Sequence, residues 1–456
     1  MSNQSGRGRA VFTQGSTMRH VAIMTSTSAI GLMSVFFVDA ISLFYISRLN
    51  DVAQTAAVGR ASYVLAFIIG ITIGMMIGVS VLVARAIGAN RYQDARSYAG
   101  SAVIAVLLVN TIIAAGMLLA RDQLLAMLNA KGEALSYAQT YLTITLPSMP
   151  FFGVGVVAMG VLRAKGDARR AMTITLAGGI LTAILDPIFI FGFGFEVVGA
   201  AMVSSGVRGG FALLGLYYMI GVHDMIRWPS FSRFFRDVRA LMSISAPAML
   251  TNIAAPVGAF LIAQKIAEYG DDALAGQSVV DRLIPLAFGV IFALSGAVGP
   301  IIGQNAGAGL MGRVRQTLVD GIKFNVIYVL FAWGLLYLGR NLIIDVYSAS
   351  GDMALMINLF ATIIAASFMF NGLLFVTNAT FNNLGKPIWA TGFNWSRQTL
   401  GVIPFIALGS YWGGLKGIAW GVLAGSVPFA LLALWAAFHL INVQSWPAGQ
   451  AKPEVT

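Results

Sequence analysis

Apolar runs of about 20 residues or more recur twelve times along the chain, at roughly 20–47, 60–84, 98–120, 135–162, 170–193, 198–221, 241–267, 274–304, 321–344, 354–383, 388–410 and 414–440. Each is long enough to cross a ~30 Å hydrocarbon layer as a helix. In such a layer every backbone N–H and C=O must be satisfied within its own segment or a closed barrel, and runs of this length select the helix. Charged residues make up only 10% of the 456-residue chain, against ~25% in soluble domains. The expected fold is therefore an all-α polytopic membrane protein with twelve transmembrane helices. The 51 glycines fit closely approaching helices, since lipid supplies little hydrophobic drive for association. With no cysteine, disulfides and thiolate metal sites are excluded.

A net charge of +11 would suit nucleic-acid binding if the bases formed one patch. They alternate with the spans instead. Arg7, Arg9 and Arg19 precede the first span; Arg85, Arg91 and Arg96 follow the second. Arg163, Lys165, Arg169 and Arg170 follow the fourth, and Arg227, Arg233, Arg236 and Arg239 the sixth. The intervening loops hold Asp51, Asp122, Glu133, Glu196, Glu268, Asp271, Asp272 and Asp352 with few bases. By the positive-inside rule both termini are cytoplasmic, and the basicity serves topology rather than nucleic acid. The first span is too long for a signal peptide and has no cleavage site, so no segment is expected to be removed.

Four landmarks repeat at a nearly constant offset. "RLND" at 48–51 returns as "EYGD" at 268–271, and "IGANRYQDAR" at 87–96 as "AGAGLMGRVR" at 306–315. Gly166 in "LRAKGDA" corresponds to Gly385 in "NNLGKPI", and "VGAAMVSSG" from 198 to "KGIAWGVLAG" from 416. Six spans per copy preserve orientation, so the halves are parallel repeats related by an axis along the membrane normal. The expected organisation is a cytoplasmic tail 1–19, an N-lobe 20–221, a cytoplasmic linker 222–240, a C-lobe 241–440 and a cytoplasmic tail 441–456, each lobe being a six-helix bundle. Such halves commonly enclose a cavity that opens alternately to either side.

On these residues the chain resembles the multidrug and toxic compound extrusion (MATE) transporters. The resemblance rests on "GSTMRHVAIMT", "ISRLND", "ARAIGANRYQDAR", "LRAKGDARRAMTI", "ILDPIFIFGFGFEVVGAAMVSS" and "NATFNNLGKPIWATGFNWSRQTLG", spread over nearly the whole length. It implies a multi-pass antiporter of the bacterial inner membrane that needs no cofactor. Such an antiporter expels small amphipathic, often cationic, compounds while protons or sodium ions run inward. A monomer in the lipid bilayer is expected, with no nucleic-acid partner.

Asp39 interrupts the apolar run "LMSVFFVDAISLFYISRLND". A carboxylate at a span centre costs ~2.5–3.5 kcal/mol on insertion scales, and such acids usually serve an ion or proton path. The alternative is a structural carboxylate held by a neighbouring helix or by Arg208. In the resembling sequences the usual first-span acid falls at Ser42, and Asp39 lies three residues earlier, on the same helix face. Asp186 in "ILDPIFIFG" precedes Pro187, which removes a backbone donor and frees the Ala183 carbonyl, so Asp186 either binds a cation or caps this break. The resemblance, closer to DinF-like than to NorM-like members, implies an N-lobe coupling site of Asp39 or Ser42, Thr182, Asp186 and Ser204. Sodium, if it is the coupling ion, is expected at Asp39 and Asp186. Threonine at 182, where asparagine is more usual, and the small number of ligands a proton needs favour protons.

The seventh span carries no acid, so little cation coupling is expected in the C-lobe. Asn371 and Asn378 share a helix face and are candidates either for substrate contact or for helix packing. Asp281 is a further cavity candidate. Arg208 lies ten residues into the sixth span, too deep to snorkel easily, and is expected to pair with an acid. It reads equally as a structural salt bridge or as a counter-ion to Asp186. Lys265 and Glu268 read as interfacial anchors. No HExxH, Walker or GxSxG motif is present, so an enzyme is not expected. The main alternative is a lipid or lipid-linked oligosaccharide flippase on a related two-lobe scaffold.

Overall fold

The structure is a computed structural model that describes residues 10–49, 51–128 and 130–443; the side chains of Val38, Asp39, Ala40, Leu43, Ser47 and Val52 lie outside the described residues. Every element of the described chain is a helix or a helical turn. The first half holds α1 (Thr17–Ser47), α2 (Val52–Gly88), α3 (Tyr92–Leu119), the short α4 (Arg121–Met127), α5 (Gly132–Thr145), α6 (Met149–Lys165), α7 (Ala168–Pro187) and α8 (Glu196–Tyr217). The second holds α9 (Phe231–Ala267), α10 (Asp271–Gly307), α11 (Met311–Val346), α12 (Gly351–Thr362), α13 (Ser367–Asn383), α14 (Pro387–Ser396) and α15 (Ile403–Val443).

Among the described residues, eleven continuous helical stretches are long and apolar enough to cross a membrane, the last being Pro387–Val443. That last stretch is two passes. At Gly414 the backbone leaves helical space (φ 57°, ψ −138°) and the chain turns back on itself. A Cβ on Gly417 would lie 1.8 Å from the Gly409 carbonyl, one on Gly421 2.5 Å from that of Phe405, and one on Gly425 2.7 Å from that of Gly401. Glycines spaced four apart form one stripe of the returning helix, and backbone meets backbone along it. With this hairpin the passes number twelve.

The duplication is visible as repeated geometry. Left-handed residues recur as Asn90 and Gly309, Gly132 and Gly351, Gly166 and Gly385, and Glu196 and Gly414. The 3₁₀ turn Leu146–Ser148, which contains Pro147, recurs as Ile364–Ala366, which has no proline. Asn110 donates to the Met149 carbonyl at 3.2 Å, and Asn325 to that of Met369 at 2.8 Å. Each asparagine fits only because its neighbour is glycine: a Cβ on Gly153 would sit 2.4 Å from Asn110 Nδ2, and one on Gly372 1.7 Å from Asn325 Oδ1.

Two compact units divide the chain, but not at the segment 222–240. One comprises Ile30–Val83 and Arg91–Met249; the other comprises Ala10–Ala29, Ala84–Asn90 and the chain from Leu250 on. Helix α9 starts at Phe231, and its first part is tied into the first unit. Asp237 accepts from Ser97 at 2.6 Å and Ser101 at 2.9 Å, while Arg233 reaches both Asp237 and Asp94. In the second unit the start of α1 plays the corresponding part. Thr17 donates to Asp320, the Phe12 N–H donates to Gln304 Oε1 at 2.9 Å, and Arg313 donates to the Phe12 carbonyl at 2.9 Å.

The first unit has a core around Ile68, Leu142, Leu146 and Met149. The second has an aromatic core in which Phe288 stacks on Phe368 at 4.0 Å with Phe360 edge-on.

Candidate functional site

Asp186 is the penultimate residue of α7, buried to 1% exposure in the first unit. Pro187 follows, and the chain widens into a π-helical turn, Ile188–Gly192, closed by Phe193 N–H to the Ile188 carbonyl at 2.9 Å. π-Turns inside helices often mark functional positions. This one lets α7 continue past the proline. Ser42 on α1 donates its hydroxyl to Asp186 Oδ2. Helices α1 and α7 run close enough that a Cβ on Gly31 would lie 2.7 Å from Thr175 Oγ1, and Tyr45 meets Phe191 edge-on at 6.2 Å.

Ser42 is the donor to Asp186 among the described residues, and no cationic side chain pairs with that carboxylate there. Thr182, one turn before Asp186 and buried, donates back to the Gly178 carbonyl at 3.0 Å and keeps its lone pairs. Ser204 is half-buried on α8, and no side-chain hydrogen bond joins it to Asp186. The Asp39 side chain lies outside the described residues. Arg208 donates to the Thr145 carbonyl at 3.1 Å and to Ser148 Oγ at 3.0 Å, so its guanidinium is held by the α5–α6 turn and not by Asp186. A buried carboxylate with one hydroxyl donor is stable only neutral or with a bound cation, because an isolated buried charge is costly.

In the second unit Asn371 and Asn378 both face the eleventh pass. Asn371 Oδ1 accepts from the Arg397 guanidinium, and Asn378 Oδ1 accepts from Asn394 Nδ2 at 2.9 Å. Thr391 meets Thr251 of α9 at 3.0 Å. Thr391, Asn394 and Arg397 follow at intervals of three, one polar stripe on α14 and the π-helical turn Arg397–Val402. Arg397 also lies 3.4 Å from Ser426 Oγ. Sequence reasoning missed Arg397, although it stands about ten residues into its apolar run, the same signal that singled out Arg208. Asp281 is exposed on α10 and accepts from Gln277 at 2.8 Å. Lys265 and Glu268 form an exposed ion pair at 2.6 Å.

A third cluster lies outside the spans. Asp167 caps α7 by accepting from the Arg170 N–H at 3.1 Å, and it also meets the Arg170 guanidinium and His223 Nε2, the latter at 2.8 Å. Burial opposes its charge, yet the hydrogen bonds from His223 and Arg170 together with the Arg170 charge hold its carboxyl well below the usual carboxylate range. Among the described residues no group of three or more His, Asp or Glu forms a metal site.

Twelve apolar passes in two repeated halves, with isolated polar groups held inside them, define a multi-pass membrane transporter. The chain belongs to the MatE family, whose model matches residues 28–188 and again 247–407. The second match begins and ends 219 residues after the first, the offset of the landmarks. Members of this family are transporters and not enzymes. The FAD transporter of Shewanella oneidensis is 27% identical over 405 residues, covering 87% of this chain and 88% of its own. Multidrug export protein MepA of Staphylococcus haemolyticus is 26% identical over 417 residues, covering 90% and 91%. The Vibrio cholerae MATE transporter VcmN in its bent form superposes with a TM-score of 0.88 at 24% identity, covering 93% of this chain and 97% of its own. An outward-facing multidrug resistance MATE family transporter of the MOP superfamily gives 0.88 at 22%, covering 95% and 98%. These likenesses show the two-lobe fold.

Proposed function

We infer that this transporter is an antiporter of the bacterial inner membrane that expels small amphipathic organic compounds, working as a monomer with both termini cytoplasmic. Inward proton flow through the N-lobe drives it. The observation that carries this reading is the Asp186–Ser42 pair: a carboxylate with one hydroxyl donor among the described residues, deep in an apolar pass, that is completed by one proton or one cation. Asp39, three residues before Ser42 in the sequence, is assigned to the same coupling role. A proton is favoured over sodium because Ser42, Asp186 and Thr182 are few ligands for a metal ion. By linkage, loading this site from outside weakens substrate binding, and substrate loading weakens proton binding to the same extent.

Substrate class is supported by the names of the relatives, which cover multidrug export and FAD transport. Cationic amphipaths are the first compounds to test, as the resemblance implies. The test is dye efflux in proteoliposomes with proton and sodium gradients imposed separately. A proton gradient should drive efflux and a sodium gradient should not. Asp186→Asn should abolish it while leaving membrane insertion intact, Asp39→Asn should do the same, and Ser42→Ala should only slow it. Wild-type rates from Asp186→Asn would refute the coupling role of this pair. Unchanged dye accumulation across a broad panel, with lipid scrambling instead, would favour the flippase.

A further inference from the structure

The C-lobe contains a charge that nothing in the coupling scheme uses. Arg397 sits at the start of a π-helical turn in the middle of an apolar pass, half-buried, with Asn371 Oδ1 and Ser426 Oγ as its side-chain partners. Its Nε is buried without a hydrogen-bond partner. Among the described residues no Asp or Glu forms an ion pair with it. Three acids of the same unit are engaged elsewhere: Asp320 with Thr17 and Gln316, Asp281 with Gln277, and Glu268 with Lys265.

Guanidinium at this depth is expensive, and in membrane proteins such a group is normally paired or faces a substrate path. Two neutral oxygens satisfy part of a five-donor fork and none of its charge. What fits the remainder is a planar or tetrahedral oxyanion, which takes two parallel N–H donors at once. Asn371 and Ser426 fix the guanidinium from α13 and α15, so the fork is positioned before any ligand arrives. The asparagine also orients it from a side chain that carries no charge of its own.

We propose that Arg397, held by Asn371 and Ser426, is a binding site for the oxyanion group, carboxylate, sulfonate or phosphate, of an amphipathic substrate. The inference rests on the efflux reading above but concerns a different lobe. It extends the substrate range from cations to anions and zwitterions. An anionic lipid headgroup carries the same chemistry, and the test separates the two sources.

The probes are fluorescein, whose xanthene body carries a carboxylate, and rhodamine 6G, a xanthene cation. Binding is read by fluorescence anisotropy on detergent-solubilised wild type, which needs no ion gradient, and transport is read in proteoliposomes. Wild type should bind fluorescein, Arg397→Gln should bind it at least tenfold more weakly, and rhodamine 6G binding should be unchanged or tighter. Arg397→Lys should fall between. Asn371→Asp is the second variant, because it places a carboxylate against the guanidinium and pairs the charge internally. It should fold at least as well as wild type, with an equal or higher melting temperature, and still lose fluorescein.

Adding phosphatidylglycerol to phosphatidylcholine mixed micelles assigns the source. Competition with fluorescein in wild type that vanishes in Arg397→Gln makes a lipid headgroup an occupant, and no competition leaves a soluble amphipath as the occupant. Failure of wild type to bind fluorescein, or undiminished fluorescein binding in Asn371→Asp, overturns the proposal. So does equal loss of both dyes in folded Arg397→Gln, which marks a structural role. Loss of gradient-driven transport with charge-selective binding intact would count against the coupling scheme and leave this site standing.

Discussion

At the scale of single residues, the buried Asp186 and the half-buried Arg397 carry the polar chemistry of the two units. Asp186 was legible because a carboxylate followed by proline inside an apolar run is rarely accidental, and Ser42 because the resemblance placed the usual acid there. The resemblance, and no pattern of spacing, grouped the two in one N-lobe site; the hydrogen bond between them across α1 and α7 is read from the structure. Arg397 carries the same depth signal as Arg208, about ten residues into its apolar run. Asp167 supports a prediction of its own. Its folded pKa is depressed, so its contribution is present above the unfolded value near ~3.9 and is lost as pH falls below that. Asp167→Ala should therefore lower the thermal melting temperature in detergent at pH 7, by the equivalent of about 1 kcal/mol for the cap. The gap to wild type should narrow as pH drops through the carboxylate range. A gap that does not change between pH 7 and pH 3 would remove the ionised carboxylate as its cause.

At the scale of elements, small residues decide where helices can touch. The stripe Gly417, Gly421 and Gly425 packs directly on the backbone of the preceding pass, which is why one continuous helical stretch can be two crossings. Gly421→Val should disrupt this hairpin, because its Cβ would meet the Phe405 carbonyl at 2.5 Å and backbone cannot yield as a flexible side chain can. Overpacking of this kind costs roughly 1–3 kcal/mol, so a lower melting temperature and poorer yield are expected. Gly413→Val is the control, since a Cβ there meets nothing within 4 Å and should leave stability unchanged. The π-turn after Pro187 teaches the converse lesson. The proline marks a break from sequence alone, but the break is absorbed by widening the helix rather than by ending it, and that keeps Asp186 buried.

At the scale of the whole molecule, the repeat shapes everything else. Helix α1 gives Ala10–Ala29 to one unit and the residues from Ile30 to the other, and α9 changes units between Met249 and Leu250, almost the repeat offset further along. The clamp at the start of each helix is built differently in the two copies. The carboxylate is Asp320 on α11 in one and Asp237 on α9 in the other, with hydroxyls from Thr17 and from Ser97 and Ser101 facing them. Loop charges predict the orientation. Gln123→Cys and Tyr411→Cys should label from the periplasmic side in intact cells and Ser230→Cys only after permeabilisation. The reverse pattern would invert the topology.

By itself the sequence determined the medium, the number of crossings, the duplication and the family. All of these follow from local hydropathy and from motifs that recur at a fixed offset, signals that need no knowledge of neighbours. Only the tertiary structure decided which hydrogen bonds the buried polar groups make, although the resemblance had grouped Ser42 with Asp186. Ser42 and Asp186 are 144 residues apart, and Asn371 and Arg397 lie on different helices. It also decided that Leu146–Ser148 and Ile364–Ala366 form the same 3₁₀ turn, one with a proline and one without, because packing overrides local preference. The boundary between the two units belongs to this second class as well. A bilayer dictates where a helix must be apolar, but close packing dictates what it lies against.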